Sequence, residues 1–524
     1  MSGPAVKSFE LPPSHPFVGQ DIDWLLRTCE SAYGDRRFLA WEPFEGLGRT
    51  WSYREFVRDV RRLAAGLRSR GIGRGSRVLI HLDNCPEFVL SWFALAGLGA
   101  IAVTTNTRAA GPELRYFAET SQVTAAITQP AYAELVSASV PEARWVAVTE
   151  TDAGTTPAAR PDKTSSFDSL YGEPSAADRE PEPGLAVLVQ FTSGTTARPK
   201  GVVWTHANAL WGARVTATHQ DLRRDDVHLI FLPLFHANAL AYSFLPSMWV
   251  GAGVVLQPRF SARRYWPVSV KHGCTWNSTI AFAIRALADY EIPDHTYRLW
   301  AAGTCDPPWD AQYGVRSLGW WGMTETITQG VVGYVHHPNR PMSIGRPAPE
   351  YELDIVRPDG RSVRDDEPGE LLIKGDRGVS LFAEYLDDPA ATEDAFTETG
   401  WFSTGDRVVR HADGFVTFLE RVKDMLKVGG ENVAASEIEQ VVLGVDGVVE
   451  AAVVGAPHDM LDEVPVVFVV SRRDESALTA EITEACSARL ASFKVPREVY
   501  VVDDLPRSTL QKVAKAELRR QLRN

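Results

Sequence analysis

Cysteine is scarce in this chain, and what there is stands apart. Five cysteines, Cys29, Cys85, Cys274, Cys305 and Cys486, are spread over 524 residues. None forms a CxxC pair, so neither a disulfide framework nor a thiolate metal site is indicated, and reduced thiols in a cytoplasmic protein are expected. Long apolar runs are missing too. No stretch supplies the ~20 uninterrupted apolar residues of a membrane helix, and the run that ends in Ala96-Gly97-Leu98-Gly99-Ala100 contains Glu87 and reads as a buried helix end. The first thirty residues carry proline and acids without an apolar core, which argues against a signal peptide. Positive charge is in deficit: 54 Lys and Arg stand against 67 Asp and Glu, a net charge of −13. That speaks against a nucleic-acid partner and against tethering to an anionic membrane, while a local site for an anion stays possible. No internal repeat is present.

Apolar residues make up 44% of the chain, enough for a sizeable core, and the length implies several folding units. Residues 52–70 repeat apolar side chains every three or four positions with Arg between, the pattern of an amphipathic helix stopped by Gly71-Ile72-Gly73. A strand at Arg77–Leu82, a helix at Glu87–Leu98 and a strand at Val103 follow, so the fold class is α/β with a parallel sheet and crossover helices. Residues 151–184, rich in Pro, Ala, Ser, Thr and Asp, read as a surface loop. Strands are expected at Leu185–Phe191, Val202–Trp204, His228–Leu232 and Gly253–Leu256, and a helix at His206–Val215. Leu353–Ile373 reads as a small β unit. Beyond Lys423 the pattern changes to a compact α+β tail, with helices at Glu437–Leu443 and Glu481–Leu490 and strands at Val448–Val454 and Val464–Val470.

The strongest local signal is Thr192-Ser193-Gly194-Thr195-Thr196-Ala197-Arg198-Pro199-Lys200-Gly201, between two strands. Glycine lets backbone N–H groups approach a phosphate, hydroxyls add donors, and Lys200 supplies point charge. It is not a Walker loop, which needs Gly-Lys-Ser/Thr opening a helix. The plain alternative is a Ser/Thr-rich hairpin.

This run resembles the phosphate loop of the adenylate-forming superfamily, which joins acyl-CoA synthetases, peptide-synthetase adenylation domains and beetle luciferases. Further matches stand in order over nearly the whole chain. Pro233-Leu234-Phe235-His236 resembles the acyl-gate motif, Trp321-Gly322-Met323-Thr324-Glu325 the adenine and metal motif, and Gly400-Trp401-Phe402-Ser403-Thr404-Gly405-Asp406 the ribose motif. Arg421-Val422-Lys423-Asp424 with Gly429-Gly430-Glu431-Asn432 resembles the hinge and thiol tunnel, and Pro506-Arg507-Ser508 with Gln511-Lys512 the catalytic-lysine motif. The resemblance implies a large N-terminal domain, residues 1–422, of α/β layers plus a small β unit, and a small mobile α+β C-terminal domain, residues 423–524, hinged at Lys423.

The implied activity is an AMP-forming acyl-CoA ligase: an acid and ATP give an acyl adenylate and pyrophosphate, and the acyl group then passes to the thiol of coenzyme A. Attack of a carboxylate on a phosphate brings anions together, so positive charge and donors must be spread over the site. The resemblance assigns Lys512 to the carboxylate and α-phosphate, and Thr324 to the α-phosphate. Glu325 falls to Mg²⁺ and His236 to the acyl gate. Thr192, Ser193, Gly194, Thr195, Thr196 and Lys200 fall to the outer phosphates. Gly303, Thr304, Trp321 and Gly322 are assigned to adenine, and Asp406 and Arg421 to ribose. Lys427, Gly429 and Gly430 belong to the thiol side, and Ala302, Trp320, Gly322 and Ile327, with His236, to the acyl pocket.

Several positions depart from the family's pattern. Ala197 and Gln511 replace glycines, Glu420 stands where glycine is common, Trp321 replaces Tyr, and Thr304-Cys305-Asp306 replaces a small-residue adenine shelf. Phe191–Asn208, Ser261–Thr275 and Gly375–Leu386 resemble the crotonobetaine/carnitine-CoA ligase branch. The expected substrate is a bulky alicyclic or aromatic acid, of the kind met in secondary metabolism, or a carnitine-like acid. A tryptophan cage suits a quaternary ammonium, but no acid is placed to complement one. Alternatives are a stand-alone adenylating enzyme for one half-reaction, a ligase that loads a carrier-protein thiol, and a catalytically dead binding protein. The oligomeric state is open, a homodimer included.

Overall fold

The structure, a computed structural model, describes residues 8–155, 161–174, 179–192, 199–421, 425–471, 473, 475–506 and 513–522. The apolar stripe of residues 52–70 forms the helix Tyr53–Ser69. It opens on a capping box in which the Ser52 hydroxyl accepts from the Glu55 amide while the Glu55 carboxylate accepts from the Ser52 amide. The alternation that follows gives the strand Arg77–His81, the helix Pro86–Gly97 and the strand Ile101–Thr104, paired in parallel with Arg77 opposite Ile101.

Two large sheets carry the first part of the chain. One has eight strands, with Lys200–Thr205, Ala186–Thr192, Ile101–Thr104 and Arg77–His81 side by side. The other has nine, its parallel middle built from Ser317–Trp321, Leu299–Ala302, Trp276–Ser278, Val227–Ile230 and Gly253–Leu256. The main core joins the faces of both and includes the fully buried Trp92, Trp204 and Trp276. The small β unit is larger than the sequence implies. Glu352–Val356 and Pro368–Lys374 continue into Phe402–Arg410 and Val416–Arg421 as one antiparallel sheet.

The fold is therefore a large N-terminal α/β domain followed by a small C-terminal α+β domain. The latter is a five-stranded sheet with an apolar cluster on each face, one around Val467 and Val469, the other around Val466 and Phe468. Residues 422–424, with the expected hinge Lys423, lie outside the described residues. Among the described residues no helix is long and apolar enough to cross a membrane.

The loop expected over 151–184 needs correction. Its described part contains the edge strand Ser165–Ser166 and the 3-10 turn Phe167–Leu170, with Phe167 and Leu170 buried. Its polar composition hid two anchors that seat this turn against the helix Tyr53–Ser69. The contact is at Gly66, where a Cβ would come within 1.6 Å of the Leu170 carbonyl oxygen. Gly66→Ala must push two backbones apart and is expected to cost ~1–3 kcal/mol or more. It should lower the thermal unfolding midpoint by several degrees. Gly73→Ala, where a Cβ meets nothing within 4 Å, is the matched control. Equal midpoints for the two variants would remove the close approach.

Candidate active site

The segment Thr192–Gly201 is flanked by paired strands: Ala186–Thr192 runs antiparallel to Lys200–Thr205, with Thr192 opposite Lys200. Ser193, Gly194, Thr195 and Thr196 lie outside the described residues, as does Lys512. Lys200 has its Nζ 4.6 Å from the centre of the Tyr385 ring. The Tyr385 hydroxyl donates to Glu325 Oε1 at 3.1 Å. Tyr385 thus joins the Lys200 cation to the carboxylate of the Trp321–Glu325 motif. Burial, then the Glu325 charge, push its phenol far above the ordinary range, so it stays a donor.

Glu325 sits on a tightly held turn. The strand Ser317–Trp321 runs through Gly322 and Met323 into the 3-10 turn Thr324–Thr326. Ile327 follows at φ +64 and ψ −48. The Thr328 amide donates to the Thr326 carbonyl at 2.6 Å, so Ile327 is the centre of a strained γ-turn. Each carbonyl is met from outside. The Trp204 indole N–H donates to the Thr324 carbonyl at 2.9 Å, the Phe382 amide to that of Glu325 at 2.9 Å, and the Tyr351 hydroxyl to that of Thr326 at 2.6 Å. Gly322 has no room for a side chain, since a Cβ would lie 2.5 Å from the Tyr242 hydroxyl. Among the described residues Gly303 faces open space, with nothing within 4 Å of a Cβ, and beside it the buried Thr304 Oγ1 has no hydrogen-bond partner.

Asp406 and Arg421 are opposite each other in the strand pair Phe402–Arg410 and Val416–Arg421. The buried Asp406 carboxylate accepts from the Trp321 indole N–H at 2.8 Å. The two motifs expected to hold adenine and ribose are therefore linked directly.

On the other side, His236 Nε2 and Glu431 Oε2 are 2.9 Å apart, and Arg108 reaches Glu431 Oε1 at 3.5 Å. Burial works to raise the Glu431 pKa, but the charges of His236 and Arg108 hold it below the usual carboxylate range. Glu431 starts a strand that pairs with Met425–Val428 through the two-residue turn Gly429-Gly430, both at positive φ, +58 and +88. Such a turn matches the twist of a hairpin and favours glycine at both positions. Its tip meets the large domain at Ile280, whose Cδ1 would lie 2.7 Å from a Cβ on Gly430. Lys427 is exposed, its Nζ 5.8 Å from the Phe418 ring centre.

Trp320 is buried in a file of rings. It meets Tyr242 edge-on at 5.4 Å and Trp276 at 6.1 Å, and Trp276 meets His228 at 4.5 Å. Burial lowers the His228 pKa to about 3, so its ring is neutral. Ala302 and Ile327 are buried as well. Tyr385, Tyr351, Trp204 and Arg108 escaped the sequence reading. Trp204 was legible only as the end of a strand, and Tyr385 meets a carboxylate 60 positions away with no local signal.

The chain matches the AMP-binding enzyme family over residues 26–386 and the C-terminal domain of AMP-binding enzymes over residues 437–512. It is 33% identical over 519 residues to the crotonobetaine/carnitine–CoA ligase of Salmonella paratyphi A, covering 96% of this chain and 99% of that one. Among solved structures, a double mutant of o-succinylbenzoate CoA synthetase from Bacillus subtilis, bound with the product analogue OSB-NCoA, is similar with a TM-score of 0.79. It is 26% identical, covering 95% of this chain and 98% of that one. The same enzyme in complex with AMP is similar with a TM-score of 0.65, at 27% identity and the same coverage. Fold and matches together define an ATP-dependent, AMP-forming acid–thiol ligase that uses ATP, Mg²⁺ and coenzyme A. The chain belongs to the AMP-binding enzyme family.

The residues fit such a metal. Glu325 offers a buried hard oxygen, and among the described residues no cluster of three or more His, Cys, Asp or Glu forms a cage. That suits a Mg²⁺ held by a carboxylate together with substrate phosphates. Trp321→Phe removes a donor from the buried Asp406 carboxylate, a loss of ~1.5–3 kcal/mol for a hydrogen bond to a charged group. AMP binding measured by calorimetry is expected to weaken by about tenfold or more. Unchanged affinity would detach the Trp321–Asp406 pair from the nucleotide.

Proposed function

We propose that the chain joins a bulky alicyclic or aromatic carboxylic acid to coenzyme A in two poses of the small domain, turning at Lys423, with residues 1–422 and 423–524 as the two bodies. In the first, the acid's carboxylate oxygen attacks the α-phosphorus of ATP, the bond to pyrophosphate breaks, and Lys512 and Thr324 stabilise the charge that develops. Lys200 and Thr192–Thr196 hold the departing phosphates, Gly303, Thr304 and Trp321 receive adenine, and Asp406 and Arg421 receive ribose. Glu325 would hold Mg²⁺, which when bound would supply charge neutralisation to those phosphates. In the second, Gly429-Gly430 and Lys427 line the thiol's approach, sulfur bonds to the acyl carbon, and AMP leaves as the thiol proton is released.

The observation that carries this reading is the Glu431–His236 contact, which sets the Gly429-Gly430 hairpin beside the acyl gate. We assign the contact to the second pose. The better fit to the product-analogue complex than to the AMP complex of one enzyme supports the same assignment. A carrier-protein thiol is the alternative acceptor. A cytoplasmic location accords with five unpaired, buried cysteines.

For the acid, the pocket wall is Ala302, Trp320, Gly322 and Ile327, with His236 at the gate. The partners of Trp276 and Trp320 in the ring file are Tyr242 and a neutral histidine, which suits an uncharged bulky body. A carnitine-like acid is the second reading, favoured by the relative that is 33% identical. Acid-dependent ATP–pyrophosphate exchange with aromatic, alicyclic and trimethylammonium acids decides between them. Higher kcat/KM for the uncharged bulky acids is expected, and a preference for crotonobetaine or carnitine would overturn the first reading.

Lys512→Ala is expected to cut pyrophosphate exchange by ~10²–10³ while sparing thiol transfer from a supplied acyl adenylate. Equal loss of both half-reactions in single-turnover assays would count against the assignment of Lys512.

A further inference from the structure

A buried cluster of three ionisable side chains joins the two domains away from the substrate groups. Lys494, in the 3-10 turn Ser492–Lys494 of the small domain, donates to Glu437 Oε1 at 2.8 Å and to Glu113 Oε1. Glu437 belongs to the first turn of the small-domain helix Ala435–Leu443, and Glu113 to the first turn of the large-domain helix Gly111–Thr120. All three are nearly sealed, at 6%, 6% and 8% exposure for Lys494, Glu437 and Glu113. Burial alone would discharge Lys494, but the two carboxylates raise its pKa and keep it charged. Of the other ion pairs described across this joint, Arg285–Asp462 is about one-third exposed on each side and so contributes less.

We infer that Lys494, Glu113 and Glu437 form a positioning latch, specific to the thiol-transfer pose, that holds the small domain in register for the second half-reaction. This rests on the two-pose reading proposed above.

Three features support it. First, the contact is divided between the bodies. Glu437 and Lys494 travel together, whereas Glu113 stays with the large domain, so a turn of the small domain breaks only the Glu113–Lys494 bond. Second, Glu113 is fixed before the latch closes, because its other oxygen accepts from the Ala110 amide at 2.9 Å. It presents one oriented oxygen to Lys494. Third, the latch lies next to the catalytic edge of the small domain. Glu437 is on the helix that directly follows the strand Glu431–Ala434, whose Glu431 meets His236. On the large domain, Arg108, which reaches Glu431, also lies 5.2 Å from the ring centre of Phe493, the neighbour of Lys494. Seating Lys494 on Glu113 therefore fixes the distance from Glu431 to His236. A buried charge deprived of its partner is penalised only while it stays buried, so weakening the latch disfavours this pose and leaves the other, with its groups in water, alone.

Two variants test it. Glu113→Gln keeps the side chain's size at the helix cap and removes one charge, and Lys494→Met removes the cation. Both should leave acid-dependent pyrophosphate exchange within about twofold, while single-turnover thioester formation from preformed adenylate falls ~10- to 100-fold. Hydrogen–deuterium exchange on the full chain needs no acid and reads the contact itself. Faster exchange is expected at residues 108–120 and 429–443, with no change in the central strand Asp462–Ser471, which would respond if the small domain merely loosened. An unchanged map, a map changed also in that strand, or an equal fall in both half-reactions overturns the latch. If the wild-type chain forms adenylate but no thioester while the map responds as expected, the two-pose reading fails and the latch stands as a domain contact.

Discussion

The turn from Thr324 to Thr328 is the constraint around which the site is assembled. Ile327 holds a backbone conformation that a β-branched residue rarely adopts, at φ +64, a strain of order 1–3 kcal/mol that survives only where surrounding contacts over-determine it. Those contacts come from every side. Trp204 belongs to the strand Lys200–Thr205 in the eight-stranded sheet, the turn itself leaves the nine-stranded sheet, and Tyr351 precedes the antiparallel sheet that carries Asp406. Thr216 and Thr328 hydroxyls close the circle at 2.5 Å. With three sheets bound to one turn, the Glu325 carboxylate is held where it accepts from the Tyr385 hydroxyl, whose ring centre lies 4.6 Å from Lys200 Nζ. Preorganisation of that kind is what electrostatic catalysis requires.

The two domains are joined by a different kind of contact. Inside the large domain the core is apolar and aromatic, and its burial is irreversible short of unfolding. Between the domains the contacts include His236–Glu431, Arg108–Glu431, Glu113–Lys494 and Arg285–Asp462, together with Arg108 over the Phe493 ring and a glycine tip against Ile280. Charges that part can be solvated, so such a joint opens at modest cost, while an apolar joint of the same area would not. The chemistry proposed for the site asks for that asymmetry.

Much of this was legible in the sequence, for a physical reason. The apolar spacing of residues 52–70, the apolar runs at Arg77–Leu82 and Leu185–Phe191 and the change of pattern beyond Lys423 are local geometry written in consecutive residues, and they formed the helix Tyr53–Ser69, the strands Arg77–His81 and Ala186–Thr192 and the small α+β domain. The remainder depends on contacts across long stretches of chain. Glu431 meets His236 over 195 positions and Lys494 meets Glu113 over 381, and neither pair has a spacing that a single sequence can reveal. The anchors Phe167 and Leu170 were hidden in the same way, because their side chains join the main core and the Leu170 carbonyl comes close to the bare backbone at Gly66.

Trp321 shows how a departure from a family pattern can be absorbed. An indole is bulkier than the phenol usual at this position, and the space it needs appears at Gly330, where even a Cβ would lie 3.1 Å from the indole ring. Its N–H, which a phenol would not offer at that point, is taken up by Asp406 at 2.8 Å. A buried carboxylate with a fixed donor loses rotational freedom and keeps its charge partly compensated before any nucleotide arrives. The substitution thus exchanges one flat ring for another and adds a hydrogen bond between the groups proposed for adenine and ribose. Any gain in nucleotide recognition from Trp321 therefore depends on Asp406 being in place, and the two positions should be energetically coupled, not additive.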